Sequence, residues 1–182
     1  MRNQTLRRLI VVGVMAIAMT LGSIGLVMAA GGVGSELAQV RAATARFHDF
    51  GVAEAEGYGP LHMCTDHNAG LGAMGQHYVK GAVVGDLEFD LSQPEVLVYE
   101  PLQNGQQRLV AVEFVVFKEP WDAVNASPPM LFGQELQPVL APNRYGVPSF
   151  YQIHVWLWKN NPAGIFNDWN TRVSCGDMGD PQ

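Results

Sequence analysis

The sequence predicts an α+β fold: an antiparallel, strongly curved sheet or small barrel packed against an N-terminal helix. Three observations carry this prediction. One amphipathic helical stretch comes first, near residues 36–56. Apolar runs rich in β-branched and aromatic residues then follow, without a second helical pattern of similar length. The dipeptide Asn104-Gly105 separates two of these runs and marks a hairpin turn. One helix followed by a series of strands argues for α+β and against a doubly wound parallel sheet.

Ahead of the helix, residues 1–30 read as a signal peptide. Arg2, Arg7 and Arg8 form a basic start, and Leu9–Met28 is apolar apart from small residues. Val27-Met28-Ala29 fits a small-residue cleavage pattern. The apolar run is also long enough to serve as an uncleaved anchor. The expected location is therefore periplasmic or secreted, or membrane-anchored if the segment is retained. Residues 31–182 are expected to form a single domain, a suitable length for one core.

That domain carries eight basic residues against seventeen acidic ones. Such a balance disfavours nucleic acid and anionic membrane as partners and tolerates cations. Apolar content of 48% is too high for a disordered chain.

In the helix 36–56, Leu37, Val40, Ala43, Phe47 and Phe50 recur at helical spacing. Ser35 is the expected N-cap, and Glu36 suits the first turn. Residues 57–73 read as irregular and contain Tyr58, His62, Cys64, Asp66 and His67. Tyr58 and Asp66 are candidates for a pocket rim. Strands are expected at Met74–Val79, Glu95–Glu100, Arg108–Phe117 and 150–158. Ala82–Phe89 reads as a short strand or turn, 118–148 as a loop excursion, and Ala163–Trp169 as a helical turn. Arg108–Phe117 is apolar on both faces, as a central strand covered on both sides would be.

Cys64 and Cys175 are the two cysteines. In an oxidising compartment they are expected to pair as a disulfide. The closed loop exceeds a hundred residues, for which chain entropy suggests about 4–5 kcal/mol of stabilisation. The alternative is a metal thiolate, because His62 and His67 flank Cys64.

Four polar residues sit in otherwise apolar strands: His77, Glu100, Glu113 and His154. Buried polar groups require partners, and these four are candidates for one ligand-binding site. A two-residue turn at Asn104-Gly105 would set Val96 opposite Glu113, Val98 opposite Ala111 and Glu100 opposite Leu109. Glu100 and Glu113 would then share a sheet face, about four residues apart along the hairpin. His154 would share its face with Gln152, Trp156 and Trp158. Imidazole and carboxylate suit a divalent metal ion, Zn, Fe, Mn or Cu, with His77, Glu113 and His154 as its ligands. The same groups could instead move protons, or be satisfied individually by backbone. Arg144, Tyr145, Asn160 and Asn161 are candidate polar contacts at one end of the barrel.

Several strings occur in order: Met74-Gly75-Gln76-His77-Tyr78-Val79, Pro94–Pro101, Leu109–Glu113, His154-Val155-Trp156-Leu157-Trp158, Asn161–Phe166 and Trp169–Cys175. Over residues 36–175 the chain resembles a family of small, secreted, largely uncharacterised bacterial and fungal proteins. The resemblance implies retention of His77, Glu100, Glu113, His154, Cys64 and Cys175. Lys80-Gly81 departs from a usual Asn-Pro, and Thr65-Asp66-His67 replaces a blander segment. It implies a site on the strands without choosing its activity.

The leading expectation is a metal- or small-ligand-binding protein with an internal His/Glu pocket. The alternatives are a metal-assisted hydrolase, isomerase or oxygenase, and a non-catalytic interaction protein using Trp121, Phe132 or Trp169 as an exposed patch.

Overall fold

A computed structural model describes residues 32–67, 69–176 and 179–180. The described residues belong to a compact unit, Gly31–Gln182. They form an α+β fold whose curved, partly closed antiparallel sheet packs near an N-terminal helix. The expected signal segment, residues 1–30, lies outside the described residues. The membrane-anchored alternative has no support among the described residues, where no helix is long and apolar enough to cross a membrane.

The helical stretch is broken rather than continuous. Helix α1 spans Val33–Thr44, a 3-10 turn covers Ala45–His48, and α2 spans Phe50–Ala55. The break falls at Asp49, whose backbone is extended and whose side chain accepts from the Gly51 N–H at 3.1 Å. This is an N-cap that restarts the helix. At α1 the N-cap is Gly32 rather than the expected Ser35; the Ser35 hydroxyl donates to the Gly32 carbonyl. The apolar stripe is used as its spacing implies. Val40 and Phe47 are fully buried, with Leu37 and Phe50 packed beside them. Burying a phenyl ring such as that of Phe47 stabilises by about 1.5–3 kcal/mol.

The main sheet is built from β1 (Gly59–His67), β2 (Gly72–Val79), β3 (Val96–Pro101), β4 (Gln107–Phe117), β7 (Gln137–Val139), β8 (Phe150–Val155) and β9 (Gly179–Asp180). Its order is β7-β8-β4-β3-β2-β1-β9. Only the short β1–β9 pairing is parallel; the other neighbours run antiparallel. A small separate hairpin joins β5 (Met130–Leu131) to β6 (Gln134–Glu135). The excursion 118–148 also contains helix α3, Lys118–Val124.

Three expectations change here. The segment expected to be irregular contains β1, a full strand whose pairing with β2 shifts register between Leu61 and Asp66. Ala163–Trp169 forms turns without a helix, whereas Ala82–Phe89 takes the turn alternative expected of it. The last long strand ends at Val155, where the chain leaves the ladder and the Trp156 N–H donates to the Ile165 carbonyl.

The two sheet faces divide the core. One face carries Leu97, Tyr99, Val112, Phe114 and Val155 against the N-terminal helices. The Tyr99 hydroxyl ties the sheet to those helices by donating to the Phe47 carbonyl at 2.8 Å. The opposite face carries Val96, Val98, Ala111, Val115, Phe150 and Trp156, packed against the Cys64–Cys175 disulfide and Val173. His77, Glu113 and His154 belong to this second face.

Candidate metal centre

The β3–β4 register sets the geometry. Val96 lies opposite Glu113 and Val98 opposite Ala111, as the Asn104-Gly105 turn implied. Register then slips by one residue: Tyr99 pairs with Leu109 and Glu100 with Arg108, leaving Val110 as an extra residue on β4. Such a bulge bends a strand and re-aims its groups. The Val110 carbonyl accepts from both the Trp158 and Lys159 N–H groups. Lys159 is thereby placed so that its ammonium meets both Glu100 oxygens at 2.7 Å. Arg108 adds a contact to Glu100 at 3.5 Å, and the Ser174 N–H one at 3.4 Å. The structure thus places Glu100 in an ion-pair network and not in the histidine cluster.

His77, Glu113 and His154 do come together. Glu113 and His154 are direct register partners across β4 and β8, while His77 on β2 faces Val98 on β3. In a flat sheet the strands of His77 and Glu113 would lie about 10 Å apart, two spacings of the ladder. Curvature of the sheet closes that gap. The His77 Nε2 lies 3.6 Å from Glu113 Oε2, and the His154 Nδ1 lies 3.6 Å from Glu113 Oε1. The two imidazole rings stand edge to face with centroids 5.4 Å apart. One donor atom from each of the three residues lies within 4.8 Å of the others.

The cluster is buried and poorly satisfied. His77 is 2% exposed, Glu113 4% and His154 0%. Both ring nitrogens of both histidines are buried with no hydrogen-bond partner among the described residues. Each unsatisfied buried polar group costs about 1–3 kcal/mol. The proposal that nearby backbone satisfies each histidine therefore has no support in the geometry. The Gly75 carbonyl is near His77, but it does not meet hydrogen-bond geometry with either ring nitrogen.

Burial also sets the protonation states. Desolvation, followed by the positive charge of Arg144 and the neighbouring His62, lowers the His77 pKa to about 4. Desolvation and then His77 push His154 well below the usual imidazole range. Desolvation, Asp168 and Glu95 push Glu113 well above the usual carboxylate range. Neutral imidazoles are the form that binds a metal ion. The result is a buried His/Glu cluster capable of coordinating a divalent metal ion.

Neighbouring groups hold the cluster in place. Trp156 stacks on His154 with centroids 5.5 Å apart, and its indole N–H donates to the Asn167 carbonyl. Tyr145 packs against His77 at 5.8 Å and directs its hydroxyl toward the Met74 sulfur at 3.6 Å. Of the sequence-derived polar contacts, Arg144 and Tyr145 lie beside the cluster, whereas Asn160 and Asn161 bind loop groups. Asp168 was not a candidate from sequence; a lone acid in a turn-rich segment has no periodic signal to mark it. The same holds for Glu95, which precedes β3 and reaches the Val115 N–H at 3.1 Å.

Other candidates resolve differently. Cys64 is bonded to Cys175 with a Cα separation of 5.6 Å, which removes the thiolate from the His62–His67 segment. His67 packs on Trp169, and its Nδ1 accepts from the Ala69 N–H. Tyr58 is buried beside Phe47 and donates to the Pro94 carbonyl, so it does not line a pocket rim. Trp158 lies against His48 and Arg41 and packs with the helix-side core, because the strand ends before it. Phe132, expected in an exposed patch, is 2% exposed.

Comparisons with family models, curated proteins and solved structures found no match.

Proposed function

We propose that this protein binds one divalent transition-metal ion through His77, Glu113 and His154. The observation that carries the reading is one buried carboxylate approached by a nitrogen of each of two buried imidazoles, none of whose ring nitrogens has a hydrogen-bond partner among the described residues. Bonds of about 2.0–2.2 Å to Zn(II) would set adjacent donor atoms roughly 3.3 Å apart. The two 3.6 Å contacts, one to each Glu113 oxygen, are close to that spacing, and the full donor set, within 4.8 Å, would draw together around the ion. Two imidazoles and one carboxylate suit Zn, Fe, Mn and Cu(II) as ligand types.

The test is metal analysis of protein purified without a chelating tag and then reconstituted, alongside His77→Ala and His154→Ala. One equivalent of metal, lost in both folded variants, is expected. Folded wild-type protein that takes up no metal after reconstitution would overturn the reading.

The ligand count favours a second reading, metal-assisted catalysis. Three protein ligands leave a coordination position for water or substrate, as in catalytic rather than structural zinc sites. A hydrolase, isomerase or oxygenase would use that position. Turnover that depends on reconstituted metal would separate the enzyme from a binding protein.

A further inference from the structure

A cavity of about 170 Å³ opens beside the cluster. His77 and Glu113 form part of its wall, while His154 is not among the lining residues. A metal held by all three would therefore have His154 behind it and its open side toward the cavity. The rest of the wall is almost wholly apolar, with Val84, Val96, Val115, Phe117, Val147 and Phe150 contributing. Tyr145 is the other lining residue with a polar side-chain group, and its hydroxyl is turned toward the Met74 sulfur.

An apolar cavity of about 150 Å³ accommodates a benzene-sized molecule. A ligand here must therefore match two environments. Its body meets valine and phenylalanine side chains, where an unpaired polar group would be costly. Its head meets the metal position between His77 and Glu113.

We infer that the metal site takes a compact apolar molecule, aromatic or short aliphatic, bearing a single metal-ligating head group. This rests on the metal reading and adds the class of ligand that completes the coordination. Strongly polar ligands such as sugars or phosphates are disfavoured by the same wall.

The test uses Co(II)-loaded protein titrated with imidazole and with 4-phenylimidazole, read from the visible cobalt spectrum. Both probes present the same head group. Burial of the phenyl ring should make 4-phenylimidazole bind at least about tenfold more tightly. Val84→Phe should fill part of the cavity and reduce that advantage, while cobalt stoichiometry persists. Val147→Phe repeats the test from a different segment should Val84→Phe fail to fold. Equal affinities for the two probes, or an undiminished phenyl advantage in the filled variants, would overturn the ligand class and leave the metal reading standing. Failure of cobalt to bind would overturn both.

Discussion

Glu113 and His154 face each other across β4 and β8, and their side chains meet at 3.6 Å without a hydrogen bond to either histidine nitrogen. His77 approaches the other oxygen of the same carboxylate at 3.6 Å. One carboxylate thus lies between two imidazoles, with burial opposing charge on all three. A cation at this position would relieve the desolvation of Glu113 and give one nitrogen of each histidine a partner.

Glu113→Gln should separate fold stability from metal affinity. Burial already favours the neutral form of this side chain, so the amide should change metal-free stability by no more than about 1 kcal/mol. Wild-type protein should gain about 2.7 kcal/mol from metal at a hundredfold excess over Kd. For a domain of this size that is roughly 5–10 °C in Tm. The variant should show little of this shift. Thermal unfolding with and without Zn(II) gives the answer; an undiminished shift in the variant would exclude Glu113 as a ligand.

Lys159→Ala should destabilise the fold without emptying the metal site. Glu100 is 7% exposed, and Lys159 supplies its two shortest contacts. Breaking a fully buried pair costs about 3–5 kcal/mol. Arg108 remains at 3.5 Å, and the Lys159 side chain is partly exposed, so about 1–3 kcal/mol is expected here. Urea denaturation of Lys159→Ala, Glu100→Gln and the double variant should reveal coupling between the two positions. Metal stoichiometry should be unchanged in all three. Loss of metal in Glu100→Gln would return Glu100 to the site.

The sequence carried the parts of this site that depend on period two and on turn chemistry. Alternation along β3 and β4, with Asn104-Gly105, placed Glu113 opposite Val96, and the structure has that pair. The separation of Glu100 was legible as distance along the hairpin. Its partner was not, because Lys159 reaches it through the bulge at Val110 and the chain turn after Val155. The meeting of His77 with His154 depends on curvature across β2, β3, β4 and β8. That property belongs to the whole sheet and leaves no local spacing. Strand β1 was hidden for a related reason: its register shifts interrupt the alternation that identifies a strand. The helix break at Asp49 left the apolar stripe intact, so periodicity alone read through it.

Glu95 should make stability fall as pH rises. It is 1% exposed, and desolvation raises its pKa to about 8, with Asp86 and Asp90 adding to the shift. Its own N–H and that of Val115 oppose the shift without cancelling it. The folded value lies above the unfolded carboxylate value, so the native state holds the proton more tightly. This stabilisation is complete below about pH 4.5 and is lost as pH climbs through about 8. The slope contributed should approach about 1.4 kcal/mol per pH unit in the middle of that window. Denaturation curves between pH 5 and 8 should show a shallower decline in Glu95→Gln than in wild type. Identical slopes would show that Glu95 is ionised throughout.

Gly75→Ala should damage both the fold and the metal site. Gly75 has φ +110°, and an added Cβ would stand 2.8 Å from the Tyr99 carbonyl oxygen and 2.9 Å from a Val98 methyl. Both obstacles belong to buried β3, so neither can move aside cheaply. Positive φ alone costs a residue with a Cβ about 1–2 kcal/mol. With the clash, about 2–4 kcal/mol of destabilisation is expected. Relief would require β2 to draw away from β3. His77, two residues further along β2, would then move away from Glu113, and metal affinity should fall as well. Gly85→Ala is the control, since its added methyl meets nothing within 4 Å. That change should stay within about 0.5 kcal/mol. Chemical denaturation and metal titration of the two variants test the argument together. A Gly75→Ala protein as stable and as metal-binding as the control would show that close approach of β2 to β3 is not what positions His77.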